Sequence, residues 1–422
     1  MTLPIKTLTV LQNWDCQACS TCCREYTIHI TEEERQRILA QKWEESKELA
    51  GVKLITKSGR WWNRWWSGRW TLNHREDHAC VFLNEKGYCR IHDKFGSAGK
   101  PLACRVYPFM LIPGGDHWKI GLRYACPSAV KNLGRELNDH DKDLREYAAQ
   151  LEVREAIHYR KILAPPLQGK EQLSWGDLDC FIRALRRIIG TQTEPVEWRL
   201  RKCLLFCNLC QGIDFSAMSG EKLKDFLFLM VDHISPEIPP AEQVPAPGWI
   251  GRLLFRQLSA FYGRKDTGVH RGISRYGRLA LVWAAWKVAR GKGRIPRLHA
   301  WMPYTTYQDA EKPRGKLPPE IDSLLMRYYL VKLESTQFCG PTNFKAKFWD
   351  GLESLIMTYP AILWLSRVFC DRPRAEAISL ALRVVDDNFG FNKYLGNRRQ
   401  RFAIRILSMR GELAKLVAWY SR

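Results

Sequence analysis

Cys16-Gln17-Ala18-Cys19-Ser20-Thr21-Cys22-Cys23 packs four thiols into one short loop, and the C-x2-C-x2-C-C spacing lets at least three of their sulfurs converge on a single metal centre. Thiolates are soft ligands that suit zinc or iron–sulfur clusters, and C-x2-C-x2-C is the rhythm of bacterial cluster-binding loops. A complete set needs a fourth donor from elsewhere. Cys80, Cys89, Cys104 and Cys126 are all candidates, and Cys126-Pro127 repeats the ligand-then-proline pattern of ferredoxin-type loops. Adjacent side chains of an extended segment project to opposite faces, so Cys22 and Cys23 are expected to serve different sites. Eight thiols then suggest two centres, or one centre plus structural thiols. Zinc accepts four cysteines or three and a histidine, and a [4Fe–4S] cluster needs four thiolates, so ligand counting leaves both open. His74, His78 and His92 lie close to these cysteines in sequence; the plainer reading of His92 is a surface or hydrogen-bonded imidazole.

Outward from this loop, eight of the fourteen cysteines fall before residue 127, which suggests a boundary near 135. The expected organisation is a cysteine-cluster metal-binding domain over 1–135 and an all-helical domain over 136–422. The fold class is mainly α, a small cysteine-rich α+β domain followed by an all-α one. In the first part, Thr31 and Glu34 form a capping box that opens a helix, Gly51 is placed to close it, and Ile38, Leu39, Trp43 and Leu49 supply its apolar face. Tyr26–Ile30 and Phe109–Ile112 read as short strands. From about residue 139 helical periodicity takes over, giving helices at 140–163, 175–189, 195–211, 219–234, 247–262, 275–290, 319–335, 343–369, 373–387 and 398–420. Pro165-Pro166, Pro239-Pro240 and Pro318-Pro319 punctuate them, and Tyr262 to Arg278 reads as an exposed loop rich in Gly, Arg and Lys.

The 422 residues are 45% hydrophobic and 26% charged, which excludes a disordered or fibrous chain and allows sizeable cores without disulfides. No uncharged apolar stretch is long enough to span a bilayer, and Met1–Trp14 lacks the apolar core of a signal peptide. The expected location is the cytoplasm, where closely spaced cysteines are metal ligands or redox groups rather than disulfides. A formal net charge of +22 favours acidic partners, although the charge is spread along the chain.

Other motifs have plainer explanations. Cys203, Cys207 and Cys210, at i, i+4 and i+7, read as buried apolar thiols, and Cys370 reads the same way. The run Arg60-Trp-Trp-Asn-Arg-Trp-Trp-Ser-Gly-Arg-Trp70 is expected to cover the metal site, ahead of gripping a substrate or stacking on bases. Arg264, Lys265, Arg271, Arg275 and Arg278 read as a solvated basic loop rather than an anion site. Neither a Gly-rich phosphate loop nor a hydrolytic motif occurs.

The blocks Cys16-x2-Cys19-x2-Cys22-Cys23, Cys80-Val-Phe-Leu, Gly87-Tyr-Cys89-Arg-Ile-His92, Pro101-Leu-Ala-Cys104-Arg105-Val-Tyr107-Pro108-Phe109 and Cys126-Pro127 together resemble the YkgJ-type cysteine-cluster family. That family is described as zinc- or iron-chelating and includes the flagellin lysine-N-methylases. The resemblance covers about residues 14–130. It implies a metal centre built from Cys16, Cys19, Cys22, Cys23, Cys80, Cys89, Cys104 and Cys126, with Arg105, Tyr107 and Pro108 shaping the loop after one ligand. The helical part is more faintly similar to the methylases, in segments such as Trp198–Phe206 and Ile321–Tyr329. The implied function is an iron–sulfur (4Fe–4S) or zinc protein that methylates lysine of a flagellin-like protein with S-adenosylmethionine, bound at the cluster or in an all-helical site. The alternative is a non-catalytic metal-binding module whose helical domain binds a partner. Nucleic-acid binding is the weakest of the three readings.

Overall fold

The computed structural model describes residues 3–59, 68–155, 162–169, 172–234, 238–268 and 270–422. The N-terminal part contains β1 (Ile5–Lys6), α1 (Thr21–Glu25), β2 (His29–Ile30), α2 (Glu32–Ala40), β3 (Ile55–Ser58), β4 (Arg69–Leu72), α3 (Arg90–Phe95), α4 (Leu102–Val106), β5 (Phe109–Pro113), β6 (Trp118–Leu122) and α5 (Pro127–Lys131). Its strands make two three-stranded sheets, β1-β6-β5 with β1 parallel to β6, and an antiparallel β2-β4-β3. Of the two expected strands, Phe109–Ile112 lies within β5, and Tyr26–Ile30 shrinks to its last two residues.

The capping box forms as read. The Glu34 amide donates to Thr31 Oγ1 at 3.2 Å and the Thr31 amide to Glu34 Oε2 at 2.8 Å. The helix it opens, however, ends at Ala40 and not near Gly51. Lys42 takes a left-handed conformation (φ 53°), which turns the chain so that Trp43 is buried against Phe82 and Phe95, at ring separations of 5.4 and 5.6 Å. Burying an aromatic ring outweighs a few more helical hydrogen bonds of a short exposed helix. Trp43 joins Ile30, Ile38, Leu49, Leu54, Leu72, Val81, Phe82 and Ile91 in a small core of its own.

The rest of the chain is helical: α6 (Asp141–Glu155), α7 (Trp175–Ile189), α8 (Val196–Gln211), α9 (Gly220–His233), α10 (Trp249–Tyr262), α11 (Arg278–Arg290), α12 (Tyr307–Ala310), α13 (Pro319–Glu334), α14 (Phe348–Val368), α15 (Arg374–Asn388), α16 (Arg398–Met409) and α17 (Glu412–Ser421). The expected helix 140–163 is seen as far as Glu155, and its continuation lies outside the described residues, as does Arg60–Ser67 of the tryptophan run. The expected helix 398–420 is two helices, because Gly411 adopts φ 67°, a left-handed turn that stops one helix and starts the next. Among the described residues no helix is long and apolar enough to cross a membrane.

Helix α14 is the axis of the main core, nearly every residue of it buried, with α10, α15, α16 and α17 packed around it. Each fully buried Leu, Ile or Phe there contributes about 1.5–3 kcal/mol. This core includes Leu8, Ile120, Leu122, Tyr124 and Cys126 together with Leu325, Tyr328 and Leu382, so the β1-β6-β5 sheet is built onto the helical part. Cys203, Cys207 and Cys210 are buried in it as expected. Cys370 is not: it lies past the end of α14 and is exposed, because the helix stops at Val368 before another turn can carry it inward.

Candidate metal centre

The loop 16–23 departs from extended geometry at two points. Ala18 (φ 50°) and Ser20 (φ 54°) both adopt left-handed backbone, at a cost of roughly 1–2 kcal/mol each for residues with a Cβ. The curl leads into α1, which carries Cys22 and Cys23. The expectation that these two side chains diverge is overturned: on a helical turn they come within 3.9 Å, sulfur to sulfur.

Four further cysteine-bearing segments fold against this loop. The Cys80 amide donates to the Cys23 carbonyl at 2.8 Å, which ties the two cysteine blocks together through backbone. A tight turn then brings Leu83 opposite Cys89. In that turn Gly87 (φ 84°) sits so close to the loop that a Cβ would meet the Ala18 carbonyl oxygen at 2.8 Å, so only glycine fits. Cys104 lies in α4 and Cys126 immediately precedes α5, whose first residue is Pro127.

Electrostatically the thiols form two neighbourhoods. Cys104 feels Cys80, Cys89 and Cys22, and Cys80 feels Cys89 and Cys22. Cys126 feels Cys19. Burial pushes the Cys104 and Cys126 thiols up and Cys80 to about 12, whereas the hydrogen bond with Cys23, followed by burial, raises Cys22. A coordinated cation reverses such shifts, because a metal-bound thiol is deprotonated outright. Cys16 and Cys19 are exposed, Cys22, Cys23, Cys89 and Cys104 half-buried, and Cys80 and Cys126 buried. Among the described residues no group of three His, Cys, Asp or Glu side chains is drawn tightly enough to hold a metal ion. His92 responds to burial, Lys100 and Asp93, and His74 to burial, the Tyr26 backbone and His78.

Several groups around the thiols suit an anionic metal–thiolate centre. Lys100 acts on both Cys22 and Cys104. The half-buried Arg383 faces Cys19 and Cys126 and makes no ion pair among the described residues. The buried indole N–H of Trp14 lies against the Cys126 sulfur and favours its thiolate form, opposing burial. Sulfur donors, two facing cations and an indole N–H beside one sulfur fit a centre whose four thiolates outweigh the metal charge.

Beneath α1 the cysteine region meets α15 through a buried ionic network. Tyr26 Oη donates to Asp387 Oδ1 at 2.8 Å, and Arg123 reaches the same oxygen at 3.0 Å. Lys265 Nζ lies 2.5 Å from Asp387 Oδ2 and 3.4 Å from Glu25, whose other oxygen is 2.9 Å from His270. Lys265 therefore belongs to the interior and not to a solvated loop, because two acids draw it in. The facing cations, Lys265 foremost, hold the Asp387 carboxyl below the usual range despite its burial. His299 stacks with His270, and burial pushes it down to about 3. A cavity of about 20 Å³ lined by Glu25, Tyr26, Lys265, His299, Arg383 and Asp387 has room for about one water. Apart from Lys265, placed in a solvated loop, and Tyr26, placed in a strand, these residues carried no reading in the sequence, although Asp386-Asp387 inside the apolar stretch of α15 was a usable signal.

Arg105 and Tyr107 are placed near the site in different ways. Arg105 turns away, pairing with Glu146 at 2.5 Å and lying over Tyr147. Tyr107 packs against Tyr26 at 5.3 Å and feels Cys126 and Cys22, so it does border the thiols.

Residues 15–132 match the CxxCxxCC family model, described as a "putative zinc- or iron-chelating domain". Residues 15–132 are thus similar to the cysteine-cluster domain that the motifs resemble, and the match supports binding of a metal. No curated protein and no solved structure matches the chain.

Proposed function

We propose that the protein holds a thiolate-ligated metal centre, a [4Fe–4S] cluster in the first instance and zinc in the second, within residues 1–135. The observation that carries this is the folding of four separate cysteine-bearing segments against the curled loop 16–23. Cys22, Cys80, Cys89 and Cys104 would supply one set of donors, with Cys23 beside Cys22, and Cys16, Cys19 and Cys126 would supply the other. When bound, a cluster would supply one-electron chemistry or an exposed Lewis-acidic iron, and zinc a structural tie. The chain's own part is to place Lys100 and Arg383 against the anionic centre and to lock α1 onto α15 through Glu25, Tyr26 and Asp387. The test is elemental analysis with a visible spectrum of protein purified without oxygen. Iron, sulfide and a broad visible band support the cluster, zinc in simple ratio supports the second assignment, and metal-free protein refutes both.

Methylation of a protein lysine with S-adenosylmethionine rests on the resemblance to the flagellin methylases. The cavity beneath α1 has room for about one water, so that cofactor would need another place, such as the open cleft of about 650 Å³ lined by Ser20, Arg24, Asp77, Leu83 and Gly87. Anaerobic calorimetry with S-adenosylmethionine on the metal-loaded protein decides: absence of binding leaves the non-catalytic module with a partner-binding helical part.

A further inference from the structure

Helix α11 is amphipathic the wrong way round. It docks on the body of the protein through small residues, Ala284 and Val288, which are its buried positions. Its larger apolar side chains point outward: Leu279 is 87% exposed, Val282 68%, Trp283 50% and Trp286 54%. Positions i, i+3, i+4 and i+7 share one face of a helix, so these four make a continuous apolar stripe, extended by Tyr276, 65% exposed, in the turn before it. A contiguous stripe of this kind differs from scattered surface leucines, which need no explanation.

The charge around the stripe is of one sign. Between Thr267 and Gln308 there is no Asp or Glu, but there are Arg271, Arg275, Arg278, Lys287, Arg290, Lys292, Arg294 and Arg297. None of these makes an ion pair among the described residues. Lys287 Nζ and the Arg290 guanidinium lie over the rings of Trp283 and Trp286, 5.1 and 5.4 Å from their centroids, so cations directly flank the aromatic part of the stripe. Tryptophan and leucine on one face, with unpaired cations flanking it, is the pattern of a helix lying in the plane of a membrane interface.

We propose that α11 docks the protein on an anionic phospholipid surface, with Leu279, Val282, Trp283 and Trp286 entering the boundary between headgroups and acyl chains and the flanking Arg and Lys meeting the lipid phosphates. Nucleic acid accounts for the cations but leaves Leu279 and Val282 in water. An acidic protein groove accounts for both, but the cations extend on either side of the helix over 42 residues, which suits a spread-out negative surface better than a single groove. The attachment is independent of the metal centre.

The experiment is flotation of the full, metal-loaded chain with vesicles of phosphatidylcholine alone and of phosphatidylcholine with phosphatidylglycerol. Binding is expected to the anionic vesicles only. Trp283→Gln with Trp286→Gln should lower it roughly tenfold or more through the lost apolar contact, and Arg290→Gln with Lys292→Gln should lower it roughly tenfold through charge. Leu229→Gln, at an exposed leucine on α9, should leave it unchanged. All substituted residues are largely exposed, so native circular dichroism is expected throughout. Absence of binding to anionic vesicles overturns the proposal, and so does binding that the tryptophan pair does not affect. A dimer that the tryptophan pair dissociates, or binding to duplex DNA or an acidic protein, without lipid binding, assigns the face to that partner instead.

Discussion

Lys332 Nζ and Asp386 Oδ1 are 2.6 Å apart with both side chains out of contact with solvent, and they join α13 to α15 directly under the cysteine region. Asp386 Oδ2 also accepts the Ala125 amide at 3.0 Å, one residue before Cys126. Breaking such a pair from one side strands a buried charge, at a cost of roughly 3–5 kcal/mol. Lys332→Met should therefore unfold at much lower urea concentration than the native chain, and Lys332→Met with Asp386→Leu should recover much of the loss. A double variant as unstable as the single one would mean that the carboxylate's bond to Ala125 matters more than the ion pair.

Glu353, in α14, is pushed up to about 7 by burial, against an ordinary 4.5, with Ser408, Gln211 and Arg405 opposing the shift and Asp350 adding to it. The folded state therefore binds a proton that the unfolded state has released between these values. Its stabilising effect is complete below about pH 4.5 and is lost as pH rises through 7, an effect of order 3 kcal/mol at most. Urea midpoints should fall over this interval in the native chain, and the fall should flatten in Glu353→Gln. Equal slopes in both would remove Glu353 as the cause.

Cys104→Ser is expected to lose most of the bound metal per chain. Cys203→Ser, in α8, should keep its metal and lose about 1–3 kcal/mol of stability by burying a hydroxyl among apolar groups. Metal content by mass spectrometry and urea unfolding on the same samples separate the two effects.

In the native, metal-loaded protein, a maleimide should label Cys370 readily, because it is exposed and lies away from the cysteine loop. Chelation should add Cys16 and Cys19, the exposed thiols of that loop, while Cys203, Cys207 and Cys339 stay protected until unfolding. Peptide mass mapping reads each site; early labelling of Cys203 would contradict its burial.

Thr31→Ala removes the acceptor of the Glu34 amide and should cost about 1 kcal/mol. Glu34→Ala should cost more, because Glu34 also accepts the amide of Leu102, at 2.7 Å, and so fastens α2 to the segment bearing Cys104. A smaller loss for Glu34→Ala than for Thr31→Ala would show that this second bond contributes little.

What the sequence determined by itself was local. Thiol spacing marks loop 16–23 as the candidate metal-binding loop because ligands a few residues apart can reach one ion whatever the rest of the chain does. The capping box and the 3.6-residue periodicity from residue 139 onward located most helices for the same reason. Tertiary structure decided what depends on partners distant in the chain. Trp43 ended α2 early by packing on Phe82 and Phe95, and four segments lying as far along the chain as Cys126 sorted the thiols into two neighbourhoods. Lys265, read as part of a solvated loop, was drawn inward by Glu25 and Asp387. Helix α11 has the apolar content of an ordinary core helix, and only its docking through Ala284 and Val288 turned Leu279, Trp283 and Trp286 to the outside. Periodicity reports that a helix has an apolar face, but which face the protein covers depends on the surface it packs against.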